Sequence, residues 1–211
     1  MAIAYDTSST TNAVNPGTSL TWAHTCTGDN RILFVCARNG HAEGERITGI
    51  TYDGVAMTKI DSYTVGSGEP TIVLYYLVAP SIGSDNIVVS SSSGYIQAAA
   101  ASYTGASQAN IPDSKAEGGV LNTSSYSLST TTVADNCWLV MAACGSLIGK
   151  TMAAGTTKRQ DQVYDSNGAK TSAGSYSLGF TGGDAETDVS CVIASFAPAI
   201  PTSGSLFFAQ L

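Results

Sequence analysis

The sequence predicts an all-β antiparallel sandwich of the jelly-roll kind, built from two packed sheets. Short runs rich in Val, Ile, Thr, Tyr and Ala alternate with Gly, Asn, Asp and Ser over 211 residues, and helical periodicity is nearly absent. About twelve such runs are present, which is more than one flat sheet can bury, so two sheets must pack face to face. The predicted strands cover residues 19–25, 31–38, 47–52, 56–63, 71–79, 86–92, 95–104, 125–132, 137–145, 156–163, 174–180 and 189–197.

Turn residues support this assignment. Asp53-Gly54 separates two alternating runs, and this dipeptide favours a two-residue hairpin because both residues tolerate the positive φ of a type I′ turn. The pairs Asp29-Asn30, Asp85-Asn86 and Asp135-Asn136 each precede an apolar run. Asn and Asp side chains bond their own backbone at such points, so we expect a turn before each strand.

The segments around Asp29-Asn30 and Asp135-Asn136 match each other, which indicates an internal repeat. The matching segments are 19–22 with 125–128, 32–37 with 138–143, 86–90 with 176–180, and 98–106 with 192–199. The sequence therefore predicts one domain over residues 1–198, made of similar halves of four to six strands at about 19–106 and 125–198. Residues 108–122 are predicted to connect the halves, and 199–211 to form a linker and an apolar tail.

Charge is scarce and mostly negative. Charged residues make up 12% of the chain, the net charge is −7, and nine Lys and Arg form no basic stripe. This pattern speaks against binding to nucleic acid phosphates and to anionic membrane surfaces. The sequence shows no signal peptide and no membrane span, so we expect synthesis in a cytoplasm without export by a cleaved leader.

The cysteines and histidines form no recognisable reactive site. Five cysteines show no CxxC and no zinc spacing, which favours buried free thiols that pack as small hydrophobes. A disulfide between neighbouring strands remains the alternative. His24 and His41 are the two histidines, and no GxSxG motif accompanies them. We expect both at the polar surface.

One acidic segment is a candidate metal site. In an extended strand, Asp184, Glu186 and Asp188 point to the same face. The favoured interpretation is a solvated acidic loop; a Ca²⁺ site and a carboxylate pair for glycoside cleavage remain open. The segment 165–168 resembles a calcium loop but lacks the closing glutamate, which predicts a turn. Apart from calcium, no cofactor is expected.

Aromatic residues are a second candidate feature, because exposed rings stack on sugars in carbohydrate-binding sandwiches. Trp22 and Trp138 match core positions of the repeat, and packing within the sheets is the favoured role for aromatic residues generally. The tyrosines that are candidates for an exposed position are Tyr63, Tyr95, Tyr164 and Tyr176.

The tail is a candidate assembly contact. After a linker rich in Pro, Ser and Gly, it carries Leu206, Phe207, Phe208 and Leu211, and an apolar segment of this kind is a liability in water. The segment either folds back as a last edge strand or packs on a neighbouring subunit's sheet edge or groove.

Segments 47–58, 74–80 and 96–105 resemble jelly-roll and β-sandwich domains of tailed-phage virion proteins of the decoration or accessory type, and of some bacterial surface proteins. The resemblance covers about 20–106, with an echo in the second half. It rests on strands and turns, so it carries over no site residue. It implies a non-enzymatic virion structural protein, most simply a capsid decoration or accessory head-tail subunit.

Such a subunit would form homo-oligomers and contact other virion proteins, without nucleic acid or membrane partners. Two alternatives from other classes remain. The first is a carbohydrate- or receptor-binding β-sandwich module with a glycan ligand, and the second is a glycosidase that uses the acidic segment.

Overall fold

A computed structural model describes residues 1–40, 44–145, 150–182 and 187–200. These ranges contain seventeen β-strands, all paired antiparallel, which confirms the prediction of an all-β sandwich; a jelly roll as such is not confirmed. No helix in the described ranges has the length and apolarity to cross a membrane. The strands of the first half are β1 Ala4–Thr10, β2 Ser19–Cys26, β3 Ile32–Asn39, β4 Ile47–Tyr52, β5 Val55–Ala56, β6 Thr58–Tyr63, β7 Ile72–Val78, β8 Gly83–Ser91 and β9 Ile96–Thr104. The strands of the second half are β10 Ser114–Thr123, β11 Tyr126–Thr132, β12 Trp138–Cys144, β13 Thr151–Met152, β14 Thr157–Gln160, β15 Val163–Asp165, β16 Gly174–Thr181 and β17 Thr187–Phe196.

The strands form four sheets rather than the two expected. The first outer sheet has the order β2-β8-β4-β5 and the first inner sheet β1-β9-β3-β7-β6. The second inner sheet has the order β10-β17-β12-β15-β14 and the second outer sheet β11-β16-β13. Three apolar clusters fill the spaces between successive sheets. Each half is thus a two-sheet sandwich, and the two inner sheets pack against each other.

Strand β3 shows why four layers form. Its side chains are apolar on both faces: Leu33 and Val35 face the first outer sheet, whereas Phe34 and Cys36 face the second half. A strand with two apolar faces needs a cover on each side. By contrast, β2 alternates between exposed and buried residues, as expected of an outer sheet with one wet face.

The second half repeats the topology of the first. The strands β1, β9, β3, β7 and β6 occupy the same order as β10, β17, β12, β15 and β14, and β2, β8 and β4 the same order as β11, β16 and β13. The segments matched in the sequence fall on β2 with β11, β3 with β12, β8 with β16, and β9 with β17. The halves contain nine and eight described strands rather than four to six, because edge strands and short strands lacked an apolar signal.

The turn predictions are confirmed in part. Asp53 and Gly54 have φ values of 50° and 72°, as a type I′ hairpin requires. Asn30 and Asn136 take φ values of 50° and 58° at equivalent points of the two halves. Asp85-Asn86, however, lies inside β8 rather than before it.

Part of the predicted connection 108–122 is a strand. β10 pairs with β17 along the edge of the second inner sheet. The sequence did not predict this strand because its charged residues resemble those of a loop. Lys115 and Glu117 suit an edge strand, since charged side chains there oppose pairing with a further strand. Gly119 is required there for close packing, because a Cβ would lie 2.1 Å from the carbonyl oxygen of Val189.

The sandwich has two distinct ends, separated by the length of β3, which is about 23 Å at ~3.3 Å per residue. At the end that carries Met1, which we name the groove end, Met1 N donates to Ala199 O at 3.1 Å and Ala199 N donates to Gly105 O at 2.8 Å. At the loop end, Gly40 N donates to Tyr95 O at 3.2 Å. These two ends carry the candidate sites.

Candidate functional site

The sequence-predicted acidic site is described only in part. Asp188 is the second residue of β17, at the loop end, and its carboxylate accepts a hydrogen bond of 2.8 Å from Asn122 N. Asp184 and Glu186 lie outside the described residues, so the calcium hypothesis stays a prediction. Within the described ranges, no group of three or more His, Cys, Asp and Glu side chains is placed to hold a metal ion.

The predicted assembly residues also lie outside the described ranges. Leu206, Phe207, Phe208 and Leu211 belong to residues 201–211. Their role stays a prediction, and the structure bears on it only through the surface next to Ile200.

The aromatic candidates divide clearly. Trp22 and Trp138 are buried, as predicted, and Tyr164 is buried as well. The remaining three candidates, Tyr63, Tyr95 and Tyr176, are half-buried. Of these tyrosines, Tyr95 lines a polar pocket.

This loop-end pocket has a volume of about 380 Å³. Four segments form it: the β1–β2 loop, the end of β3, the residue before β4, and the β8–β9 turn. Backbone hydrogen bonds fix these segments, with Gly17 N donating to Gly94 O and Ser92 N to Arg46 O, both at 2.8 Å. The pocket is lined by Asn15, Arg38, Asn39, Gly40, Arg46, Gly94 and Tyr95.

Two arginines give the pocket its charge. Arg38 donates from Nε to Gln97 Oε1 at 3.0 Å and from Nη2 to Tyr95 Oη at 3.3 Å, and its guanidinium lies 5.0 Å from the centroid of the Tyr95 ring. Arg46 donates to Ser93 Oγ. Among the described residues, neither guanidinium forms an ion pair with a carboxylate.

Asn39 adds an unusual polar group to this pocket. The residue is fully buried, and its Nδ2 donates to Gly40 O at 3.2 Å and to Gly44 O at 3.4 Å. Its Oδ1 has no hydrogen-bond partner in the described part of the chain. A buried acceptor without a partner is costly, so such groups in folded proteins need an explanation.

The groove end carries a different kind of cavity. This apolar groove has a volume of about 660 Å³. Trp138 and Ile3 are buried at its base, whereas Met1 and Ile200 are 59% and 87% exposed at its rim. The groove is lined by Met1, Ala2, Ile3, Asn136, Trp138, Gly168, Ala169, Pro198, Ala199 and Ile200.

The expectation for His24 is wrong. It lies on the inner face of β2 and is 1% exposed, with Nδ1 at 2.7 Å from Ser9 Oγ. Burial lowers the pKa of His24 to about 4, against the opposing charge of Asp6, so the ring is neutral at pH 7. The alternation of β2 contains the signal that would have placed it, since Leu20, Trp22 and Cys26 share its face. His41 lies outside the described residues.

The prediction for the cysteines is confirmed. All five are buried and free of disulfides. Burial raises the pKa of Cys26 and Cys144 to about 11 and that of Cys137 to about 12. These thiols are therefore packing groups without nucleophilic character.

No model of a known protein family matches the chain, and no curated protein matches it. Apart from Tyr95, the pocket residues were also missed in the sequence, although Arg38-Asn39-Gly40 directly after an apolar run was a signal for a polar strand end. The two ends of the sandwich are the surfaces from which function can be argued.

Proposed function

We propose that this protein is a non-enzymatic structural subunit of a virion, an accessory component of head or tail such as a capsid decoration subunit, which attaches to its neighbours through the groove end. The observation that carries the proposal is the apolar groove of about 660 Å³. Contiguous apolar surface of this kind marks sites of protein contact.

Exposed apolar side chains are gathered at the same end. Met1 and Ile200 rim the groove, and Ile82 and Val133 stand on loops at that end. Among the large apolar residues exposed in the described part of the chain, Val55 and Leu121 are the others. Met1 and Ile200 line the groove itself, whereas Ile82 and Val133 lie outside its lining at the same end. These four residues support a docking role for the groove end.

The proposed occupant is the apolar segment 206–211 of a second copy. Ile200 lines the groove, and residues 201–205 can span at most about 18 Å when extended. A chain that leaves the groove at Ile200 must reverse within these five residues to return to it. We propose that Leu206, Phe207 and Phe208 instead dock in the groove of a neighbouring copy, where reciprocal exchange would close a symmetric oligomer.

The outer faces of the sandwich fit the same role. Ser19, Thr21 and Thr25 are exposed along β2, and Ser127 and Ser129 are exposed along β11. Neutral hydroxyl-bearing faces can pack beside other proteins without desolvating charges. They support the proposal that the subunit lies among other virion proteins.

The oligomeric contact is tested by the solution mass of the full chain, measured by light scattering. We expect an oligomer for the unaltered protein and a monomer for I200D and for F207S/F208S, because a charge or a lost apolar contact in the groove opposes docking. V55D is the matched control, since Val55 is 54% exposed but lies away from the groove. A monomeric unaltered protein, or loss of the oligomer in V55D as well, contradicts this contact.

The place in a virion is tested separately. Antibodies against the protein should label particles released by lysis of the cells that produce it, at a repeated position on head or tail. Particles that remain unlabelled, while the protein stays in the soluble fraction, would show that the virion assignment is wrong.

A further inference from the structure

We propose that the loop-end pocket binds an acidic saccharide, whose carboxylate lies against Arg38 and Arg46 and whose hydroxyls bond the amides of Asn15 and Asn39. The pocket lies at the opposite end of the sandwich from the groove. This proposal therefore does not depend on the proposed assembly contact, and either can fail alone.

The arginines select for a carboxylate. The chain has a net charge of −7 and only nine Lys and Arg, yet two of its arginines line one pocket. Glu45 directly precedes Arg46 in the sequence, but in the described part of the chain its carboxylate forms an ion pair with Lys59 rather than with Arg46. Planar guanidinium groups match carboxylates in geometry, so the two arginines favour an anionic ligand that carries a carboxylate.

The amides select for hydroxyls. Asn15 is exposed and offers a carbonyl acceptor and an NH₂ donor, whereas the NH₂ of Asn39 already donates to Gly40 O and Gly44 O and leaves only its Oδ1 as an acceptor. A sugar hydroxyl both donates and accepts. The Oδ1 of Asn39 has no partner among the described residues. A ligand hydroxyl that donates to this oxygen would satisfy it, whereas chloride or sulfate has no proton to give.

Size and rigidity favour a sugar over a small ion. The volume of about 380 Å³ falls at the lower end of the ~300–1,000 Å³ that small-molecule sites occupy. Arg38, Tyr95 and Gln97 are locked together, with Tyr95 Oη donating to Gln97 Oε1 at 3.0 Å. A preorganised wall loses little conformational entropy when a ligand binds.

The repeat limits the site to one per chain. In the second half, Cys144 and Gly145 occupy the places of Arg38 and Asn39. The charge and the unpaired amide are therefore absent from the equivalent strand end in the described residues. We expect a stoichiometry of one saccharide per chain.

The test is calorimetric titration of the full protein with glucuronate, galacturonate and N-acetylneuraminate, with glucose and acetate for comparison. We expect at least one acidic sugar to bind saturably at one site per chain, and to bind at least ten-fold more tightly than glucose or acetate. If none of the three acids binds saturably, the proposal is overturned. If glucose binds as tightly as the acidic sugars, the proposed contact between a carboxylate and the arginines is wrong. If acetate binds as tightly, the proposed contacts between sugar hydroxyls and the amides are wrong.

Two further measurements locate the ligand. R46Q should weaken binding about 10- to 100-fold through loss of a charge-assisted contact, whereas R31Q is the matched control. Arg31 bonds Pro80 O and Gly28 O at the groove end, so its replacement removes the same charge far from the pocket. In the unaltered protein, amide NMR shifts should centre on Gly40, Gly94 and Tyr95, and shifts centred on the groove would overturn the assignment.

Discussion

Tyr103 Oη donates a hydrogen bond of 2.9 Å to Asp165 Oδ2 and so joins β9 of the first half to β15 of the second. Arg159 Nε donates to the same oxygen at 2.6 Å, and its guanidinium lies 4.0 Å from the centroid of the Tyr5 ring. Tyr103 and Asp165 are fully buried. Burial and the neighbouring carboxylate raise the pKa of Tyr103 far above its usual range, so the phenol remains a donor.

This buried cluster should contribute strongly to the union of the halves. D165N is expected to lower the free energy of unfolding by about 3–5 kcal/mol, because it leaves the largely buried Arg159 guanidinium, 13% exposed, without its counter-ion. Y103F should cost about 1–2 kcal/mol, since Asp165 keeps its bond to Arg159. Urea unfolding of the two variants measures both values.

The control for this cluster is the exposed ion pair of Lys158 and Asp161, next to Arg159 along the chain. K158Q should change the free energy of unfolding by less than about 1 kcal/mol, because solvent screens the pair. If D165N costs no more than K158Q, the buried cluster does not hold the halves together.

A second prediction follows from two equivalent aspartates. Asp6 accepts a hydrogen bond from Ser102 Oγ at 2.8 Å, and Asp113 accepts one from Ser195 Oγ at 2.9 Å. Ser102 and Ser195 occupy the same position of the repeat on β9 and β17. Each carboxylate therefore ties the beginning of its half to the same inner strand.

The same carboxylates also hold the loop after the outer strand. Asp6 accepts from Thr27 N at 2.9 Å, and Asp113 accepts from Val133 N at 2.8 Å. We expect D6A and D113A each to lower the free energy of unfolding by about 2–3 kcal/mol, through loss of charge-assisted hydrogen bonds. Thermal and urea unfolding, with the exposed D161A as control, should give similar costs at the two sites. A large cost at only one site would mean that the repeat is not energetically symmetric.

A third prediction concerns acid stability. His24 has a pKa of about 4 in the folded chain, below the ordinary value of 6.5. Between these values the unfolded chain binds a proton that the folded chain does not, so stability falls as pH drops from about 6.5 to about 4. Below pH 4, the shift in the pKa of His24 corresponds to a loss of roughly 3 kcal/mol in the free energy of unfolding, compared with neutral pH.

H24Q tests this assignment because glutamine does not titrate. The difference in unfolding free energy between the unaltered protein and H24Q should shift in favour of H24Q as pH falls from 7 to 4, measured by urea unfolding. The carboxylates titrate in both proteins and cancel in this difference. A difference that stays constant over this pH range would show that His24 does not carry the acid sensitivity.

The sequence was most informative where strands are apolar. The outer strand β2 alternates, β12 is apolar throughout and β3 is apolar from Ile32 to Ala37, so the positions of these strands were predictable from periodicity. The continuous apolar runs also held the evidence for four layers, because an apolar residue at every position needs cover on both faces. Edge strands β1 and β10 escaped detection, since their polar residues resemble those of a loop.

The loop-end pocket could not be predicted in the same way. Its residues come from four separate segments, which are brought together by the pairing of Asn39 with Ile96 in the register of β3 and β9 and by backbone hydrogen bonds between the loops. A shift of one residue between these strands would put Arg38 and Gln97 on opposite faces of the sheet. Long-range register of this kind is a property of the folded sheets rather than of any local pattern.

The last prediction concerns the thiols, whose burial makes them reporters of how the layers open. At pH 8, a pKa of about 11 for Cys26 leaves only ~0.1% thiolate, and the unexposed sulfur excludes the reagent as well. We expect the folded protein to resist iodoacetamide while the urea-unfolded chain takes up five equivalents, as counted by mass spectrometry. S129C supplies the positive control, because Ser129 is exposed on the second outer sheet. If one native cysteine reacts in the folded state, its identity shows which layer separates, because Cys36 and Cys144 lie between the inner sheets and Cys191 beneath the second outer sheet.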